Sequence, residues 1–411
     1  MGVSTFIDGA DVTSYVLQGS VTHRLNRPAQ ATCRIPLAYS IGGAGSRLKV
    51  VDDTAGLIFH GMVMTVSDEG DEDMLYTEYM AMDPMELWQW RPARDGIEAG
   101  LANQGNFSLP TFMERNWPSP TTGPGIIKEI LRQSEISPPT DQGEGPLFIS
   151  YGQFEEGGVD MSGAPMDWPM TIAEVANMLT STGEVDIVLK PIDSGGNMAE
   201  VSVHNGDYGT DRSGSVVFDY AMGNYNARRL RRVEDMTSVV NKLWYFLGPR
   251  IDDQHWKANV QGDDGGSSAP IPRTGGLPYP PGGENSPPNS ATDNQIGVSR
   301  IASQGSYGVR MNIQIFDSRG DETDIGRDLY RRLWQMESWL RAQPRVLVHI
   351  TPVRGTPLNF DIGDLVTVRA GAKVRGGFSG VQRVFEYTYT WDENGVTEIG
   401  ELVTSANAEG I

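Results

Sequence analysis

Cysteine is nearly absent from this chain: Cys33 stands alone in 411 residues. One thiol excludes an intrachain disulfide, a paired redox motif and any cysteine-rich metal site. Its setting in the strand-like run ATCRIPLAY reads as a small buried side chain. Positive charge is also scarce. Lysine and arginine number 33 against 53 aspartates and glutamates, a formal net charge of −20. That balance argues against gripping nucleic acid through its phosphates. It suits a well-solvated surface, and one that duplex DNA can pass without sticking. No run approaches the roughly 18 apolar residues of a spanning helix. The opening MGVSTFIDGAD has neither the basic region nor the apolar core of a secretory signal, and Phe6 stands where myristoylation needs Ser or Thr.

Catalytic motifs are missing as well. The histidines His23, His60, His204, His255 and His349 are scattered, with no HxH or HExxH spacing, and read as structural. There is no GxSxG elbow, no P-loop and no dinucleotide-binding glycine motif. The acidic run Asp68, Glu69, Asp71, Glu72 and Asp73 lacks EF-hand spacing and reads as a solvated hairpin tip. These observations assign no catalytic, cofactor-binding or metal-ligating residue, and the expectation is a protein that is not an enzyme and carries no cofactor.

What is present is β pattern broken by turns. Glycine (49) and proline (25) are common, and β-branched and aromatic residues recur in short bursts, which predicts a mainly β protein with some α. Length alone calls for two or three domains. Over residues 1–95, Val16, Val21, Thr32–Leu37, Leu48–Val51, Leu57–Val66 and Leu75–Met82 are candidate strands of a first β domain. Residues 96–230 are mixed. A helix near Pro124 carries Ile126, Ile127, Ile130 and Leu131 on one side. A second follows the capping box of Thr171 and Glu174, with Val175, Met178 and Leu179 as its apolar face and Gly183 as its end. Val185–Leu189 then reads as a strand closed by a DSGG turn.

Residues 261–298 are rich in proline and glycine, oppose both helix and sheet, and read as a flexible loop or insertion. The strongest helical pattern covers 321–342, where Ile325, Leu329, Leu333, Met336 and Leu340 recur at three- and four-residue steps. The stretch from Leu358 to Ser405 reads as a strand meander: Val366 and Val368, then Phe385, Tyr387 and Tyr389, alternate with polar residues. Asn394-Gly395 suits its last tight turn.

Two residue groups invite a functional reading. Trp88 and Trp90, two apart, would share one face of a strand beside Glu86 and Arg91, and such a surface could stack on a sugar ring; sealing a barrel end or an interface is the plainer use. Arg228, Arg229, Arg231 and Arg232 form the one basic cluster. It lacks interleaved aromatics and is followed by Glu234 and Asp235, so a salt-bridge patch between subunits fits it better than nucleic acid.

Four stretches together resemble the phage tail hub, or baseplate hub (tail-associated minor tail), proteins of long-tailed actinobacterial phages. They are FIDGADVTSYVLQGSVTHRLNRPAQATCRIPL, TEYMAMDPMELW, VVNKLWYFLGP with SQGSYGVRM, and NFDIGDLVTV with VQRVFEYTY. In the third, Asn241, Gly248, Tyr307 and Gly308 stand at the matching places. The resemblance implies two hub-type β-barrels plus a mixed α/β middle domain. The first barrel would span 1–95 and the middle domain 96–230; the second barrel would combine 231–260 with 299–411, including the helix at 321–342. It further implies a trimeric structural ring in the virion tail tip, assembled in the host cytoplasm. Such a ring would connect the sixfold distal tail to the tip and line a channel for the tape-measure protein and DNA. The implied partners are further copies of itself, the distal tail protein ring, the tape-measure protein, other tail-tip proteins and passing double-stranded DNA, without insertion into a lipid membrane. The chain ends at Ile411, soon after its last strand, leaving no room in this sequence for the peptidoglycan-cleaving domain that some hubs carry. The alternatives are a tail-borne hydrolase of carbohydrate or peptidoglycan, and a receptor-binding module.

Overall fold

A computed structural model describes residues 2–70, 75–91, 93, 122–136, 146–158, 170–181, 183, 185–220, 225–248, 259–262, 295–299, 305–306, 308–317, 344–371 and 378–406. The helix predicted over 321–342 and most of the loop predicted over 261–298 lie outside these residues. The ends of that loop do not: residues 261–262 and 295–298 are strand.

The N-terminal region supplies strands β1 (Val3–Ile7), β2 (Ala10–Asp11), β3 (Gln18–Arg24), β4 (Gln30–Pro36), β5 (Arg47–Asp52), β6 (Gly56–Gly70) and β7 (Leu75–Met82), which take in most of the candidate strands but not Val16 or Leu37. Strict alternation of buried and half-buried residues along β1, β4 and β5 gives each strand one core face. Asp68 and Glu69, expected in a turn, lie within the long β6, which pairs to Gly70 opposite Leu75.

The middle region contains α1 (Gly123–Ile136), β8 (Ile149–Phe154), α2 (Ile172–Thr180), β9 (Asp186–Ser194) and β10 (Asn197–His204). The capping box is present in both directions. Thr171 Oγ1 accepts from Glu174 N at 3.2 Å, and Glu174 Oε2 accepts from Thr171 N at 2.6 Å. The three strands form a small sheet ordered β8-β10-β9, parallel on one side and antiparallel on the other. Ile126, Ile127, Ile130 and Leu131 of α1 and Val175 and Leu179 of α2 are buried in one cluster with Ile187, Val201 and Val203 of this sheet.

The C-terminal region supplies β11 (Val217–Asp219), β12 (Ala227–Asp235), β13 (Lys242–Gly248), β14 (Asn259–Gly262), β15 (Gln295–Ser299), β16 (Met311–Asp317), β17 (Arg345–Pro352), β18 (Leu365–Gly371), β19 (Phe378–Asp392) and β20 (Thr397–Ser405). Val366, Val368, Phe385, Tyr387 and Tyr389 are buried, as the alternation requires.

The two expected β-barrels are not formed. Among the described residues no sheet closes on itself. Instead one thirteen-stranded sheet runs β12-β17-β20-β19-β3-β4-β7-β6-β5-β1-β2, with β18 and β11 attached beside β19. Strand β13, expected in the second barrel, belongs to a separate four-stranded sheet ordered β14-β15-β13-β16. Alternation in sequence fixes which face of a strand is buried but says nothing about closure, which needs two free edges to meet. Here the path ends in a two-residue strand, β2, and in the arginine-bearing β12, both poor templates for further pairing.

Strand β19 makes the sheet continuous. Arg383 pairs with Ser405 of β20 and with Leu365 of β18, so those two strands lie on opposite edges of β19. Further along, Glu386–Asp392 pair with β3 on the edge away from β20. The 15-residue strand therefore carries β18 and β3 end to end on one side. Two cores result. One gathers Val21, Ala31, Cys33, Ile35, Leu48, Val50 and Tyr79 with Tyr389 and Trp391; the other gathers Val348, Ile350, Val366, Val368, Val384, Phe385, Tyr387 and Leu402.

Candidate functional site

Directly opposite residues of an antiparallel pair project from the same face, so the register defines the side of the sheet away from its cores. Crossing from β19 to β3, β4 and β7, that side carries Thr388, Thr22, Gln30 and Met82 in one row and Thr390, Ser20, Thr32 and Met80 in the next. Hydroxyls pair between strands: Ser20 Oγ and Thr32 Oγ1 are 2.7 Å apart, Thr22 Oγ1 and Thr388 Oγ1 3.0 Å. Charges on this stretch are paired too. Arg24 Nε donates to Glu386 Oε2 at 3.0 Å and Arg34 Nε to Glu78 Oε2 at 2.5 Å. The surface is therefore hydroxyl-rich and locally balanced in charge, where composition alone predicts acid. Towards β5 and β6 the middle region covers it: Lys49 Nζ reaches Asp193 at 2.9 Å, and His60 Nδ1 donates to Ile192 O at 2.7 Å.

Strand β12, at one end of the sheet, holds the basic cluster. Arg228, Arg229 and Arg231 are exposed and Arg232 is half-buried. The register places Arg231 opposite His349 and Arg232 opposite buried Val348, so neighbouring arginines lie on opposite faces.

A third polar centre went unnoticed in the sequence. Asp186 at the start of β9 and Arg383 of β19 form an ion pair at 2.5 Å, with side chains 3% and 8% exposed. Arg383 also donates to the carbonyl oxygens of Tyr208 (2.6 Å), Gly206 and Gly363 (both 3.3 Å). Asp186 accepts further from Tyr208 N at 3.1 Å and Asn26 Nδ2 at 3.4 Å. Beside it, buried Asp364 accepts from Thr210 N at 2.6 Å and Arg212 Nε at 2.7 Å. Every one of these bonds joins distant parts of the chain. A buried charge is tolerated when paired and hydrogen-bonded in this way, but no local spacing announces it.

The tryptophan platform is not built. Trp88 and Trp90 lie on the short 3-10 helix Pro84–Trp90, not on a strand. With about three residues per turn, positions two apart point in different directions. Trp88 is fully buried, whereas Trp90 is 72% exposed. Glu86 is half-buried, and that burial raises its carboxyl above the ordinary value. Asp83 caps the same helix by accepting from Met85 N at 2.9 Å and also holds Ala29 N at 2.8 Å; burial nonetheless pushes its carboxyl up to about 7.

The described histidines each meet a partner on another segment. His204 Nδ1 lies 2.8 Å from Glu155, His349 Nδ1 lies 3.0 Å from Glu401, and His23 packs on Tyr387 at 4.9 Å. Burial holds the His23 imidazole down at about 4 against the opposing pull of Asp361. His255 lies outside the described residues. Cys33 is buried and its thiol pushed up to about 12 by that burial. Among the described residues no group of three or more His, Cys, Asp or Glu is placed to hold a metal ion, and no helix is long and apolar enough to cross a membrane.

Two of the four residues singled out by the third resembling stretch come together. Buried Asn241 donates through Nδ2 to Gly308 O at 2.8 Å and accepts from Arg310 N at 2.8 Å. Gly248 closes β13, and Tyr307 lies outside the described residues.

No protein-family model matches the chain, and no curated protein matches it in sequence. Solved structures do. The 43 kDa tail protein of prophage MuSo2 from Shewanella oneidensis aligns over 99% of this chain and 98% of its own, with a TM-score of 0.54 at 12% identity. A tail protein from Neisseria meningitidis MC58 covers 100% and 97% at TM-score 0.49 and 10% identity. A prophage tail protein from Listeria monocytogenes EGD-e covers 100% and 96% at 0.49 and 11%. The chain thus shares the fold of a phage tail protein along nearly its whole length, a likeness of architecture rather than of sequence.

Proposed function

We propose that this chain is the structural hub of a phage tail tip, a trimeric ring that connects the sixfold distal tail to the tip. Its partners are further copies of itself, the ring of the distal tail, the tape-measure protein and other tail-tip proteins. The observation that carries the reading is the architecture shared with the Shewanella prophage tail protein over 99% of this chain and 98% of that one. The continuous sheet supports it. A sheet with cores behind one face and a hydroxyl-rich, charge-balanced stretch on the other suits the wall of a channel for tape-measure protein and DNA. Neutral hydroxyls and pre-paired charges give a passing polyanion neither a sticky cationic stripe nor a strongly repelling surface. The role is one of packing and assembly and asks for no catalytic group.

The test is the absolute mass of the purified chain by light scattering over a range of concentration and salt. A stable species near three times the 44.9 kDa chain mass is the expected result, followed by a threefold ring on imaging. A strict monomer under every condition, in the presence of the distal tail ring as well, would remove the hub reading.

A further inference from the structure

Strand β12 presents positive charge that the rest of the described chain leaves unanswered. Arg228, Arg229 and Arg231 are exposed, and none has a carboxylate within ion-pair distance among the described residues; Arg232 alone meets one, Glu234 at 3.4 Å. Acids outnumber bases 53 to 33, so internal partners are plentiful, yet these three meet none among the described residues. The strand is also an end of the sheet: among the described residues β12 pairs with β17 alone.

The opposite end of the same sheet is the β1–β2 hairpin, and there the exposed charge is negative. Asp8 and Asp11 are exposed on either side of Gly9, whose tip is open: a Cβ there would meet nothing within 4 Å. Both carboxylates are held in place by backbone donors, Asp8 by Arg47 N at 2.8 Å and Asp11 by Thr13 N at 2.9 Å. The Arg47 N–H bond at Asp8, and the Thr13 hydroxyl followed by its N–H at Asp11, keep both below the usual carboxylate range and so fully charged at neutral pH.

We propose that the two ends of the sheet dock on each other between copies, the β12 edge of one chain against the β1–β2 edge of the next, with Arg229 and Arg231 answering Asp8 and Asp11. A sheet with one basic and one acidic end is complementary to itself only head to tail. Such contacts are heterologous, and repeated with a closing rotation they form a ring. Guanidinium groups suit the task because they bind carboxylates in fixed two-point geometry. The inference deepens the hub reading, on which it rests, by naming the interface that closes the ring.

The experiment is a charge swap read by sedimentation velocity at about 0.1 M and about 0.5 M salt, where screening separates long-range from contact effects. Full-length wild type, Arg229→Glu/Arg231→Glu, Asp8→Arg/Asp11→Arg and the combination of all four are compared, with circular dichroism and thermal melting to verify folding. The proposal expects each double reversal to weaken self-association at least ~10-fold and the combined swap to restore it in good part, the signature of opposite charges in contact. The aspartates also hold backbone bonds, so if their reversal melts the fold, mixing the arginine variant with wild type decides: capped, shorter assemblies support the proposal. Wild type that assembles while the arginine reversal assembles equally well overturns this interface and leaves the hub reading standing. Wild type that never assembles, with the distal tail ring present as well, overturns both.

Discussion

Two arginine–carboxylate pairs sit three residues apart on β19 and tie that strand to different parts of the molecule. Glu386 meets Arg24 of β3 with the side chains 33% and 26% exposed, while Arg383 meets Asp186 of β9 with 8% and 3% exposed. The chemistry is the same and the surroundings are not. The first pair lies among hydroxyls on an open face, and the strands it bridges are already joined by seven register positions and a shared apolar core. The second lies where the middle region meets the sheet, and there it organises the backbone: Arg383 holds the carbonyls of Gly206 and Tyr208 in the loop after β10 and that of Gly363 in the turn before β18. The contrast teaches that an ion pair's structural weight is set by what would be stranded without it. Water would take over an orphaned Glu386; nothing would take over an orphaned Asp186.

The comparison can be broken at several points. Arg383→Met leaves Asp186 buried without its counter-charge and is expected to cost about 3–5 kcal/mol, measured by urea denaturation; adding Asp186→Leu should recover a large part, since two apolar groups need no partner. At the β3 junction the largest sensitivity is to packing. Gly19 lies beneath Trp391, and a Cβ there would fall 2.1 Å from the indole. Gly19→Ala should destabilise by roughly 1–3 kcal/mol through overpacking, and Trp391→Leu in the same chain should relieve the clash.

The pH response sharpens the picture near the junction. His23 has a folded value of about 4 against an ordinary 6.5, so it remains neutral in the fold while the unfolded chain takes up a proton. Its contribution to stability is full above about 6.5 and is lost as pH falls towards 4. Asp83 has the opposite sign: raised to about 7 from 3.8, it favours the folded state increasingly as pH falls from about 7. Urea midpoints between pH 4 and 7 should therefore lose less on acidification in His23→Gln, and more in Asp83→Asn, than in wild type. Equal slopes for all three would remove this assignment.

Smaller effects belong to local devices. Thr171→Ala removes half of the capping box and should cost about 1 kcal/mol of thermal or chemical stability. Arg24→Gln breaks the half-exposed pair with Glu386 and should cost less than about 1 kcal/mol, falling further in high salt. A cost equal to that of Arg383→Met would refute the contrast between the two pairs.

The features legible in the sequence are those written at short range. The capping box of Thr171 and Glu174, the apolar stripe of α1, the alternation in β4 and in Phe385–Tyr389, and the Gly195-Gly196 turn after β9 each depend on residues within a few positions of one another. Trp88 and Trp90 misled because a period-two reading presumed a strand, where Asp83 and Pro84 start a short 3-10 helix. Asp186 was hidden in an apolar run, Val185–Leu189, that turns out to lie between two cores: Ile187 faces the middle cluster and Val188 the C-terminal one. A strand buried on both faces has no polar side, so a charge within it signals a distant partner without identifying it.

The sequence by itself determined where several strands of the N-terminal region and of the C-terminal meander and two helices fall, which side of each is apolar, and that the chain carries a strong excess of acid. Only the tertiary structure decided that β3 joins β19 into one open sheet instead of closing two barrels, that Arg383 answers Asp186, and that Arg229 and Arg231 lie at the opposite end of that sheet from Asp8 and Asp11. The physical reason is range. Backbone propensity and amphipathic period act over a handful of residues, whereas strand order, buried ion pairing and edge charge depend on which of many compatible edges meet, and that is settled by the packing of the whole chain.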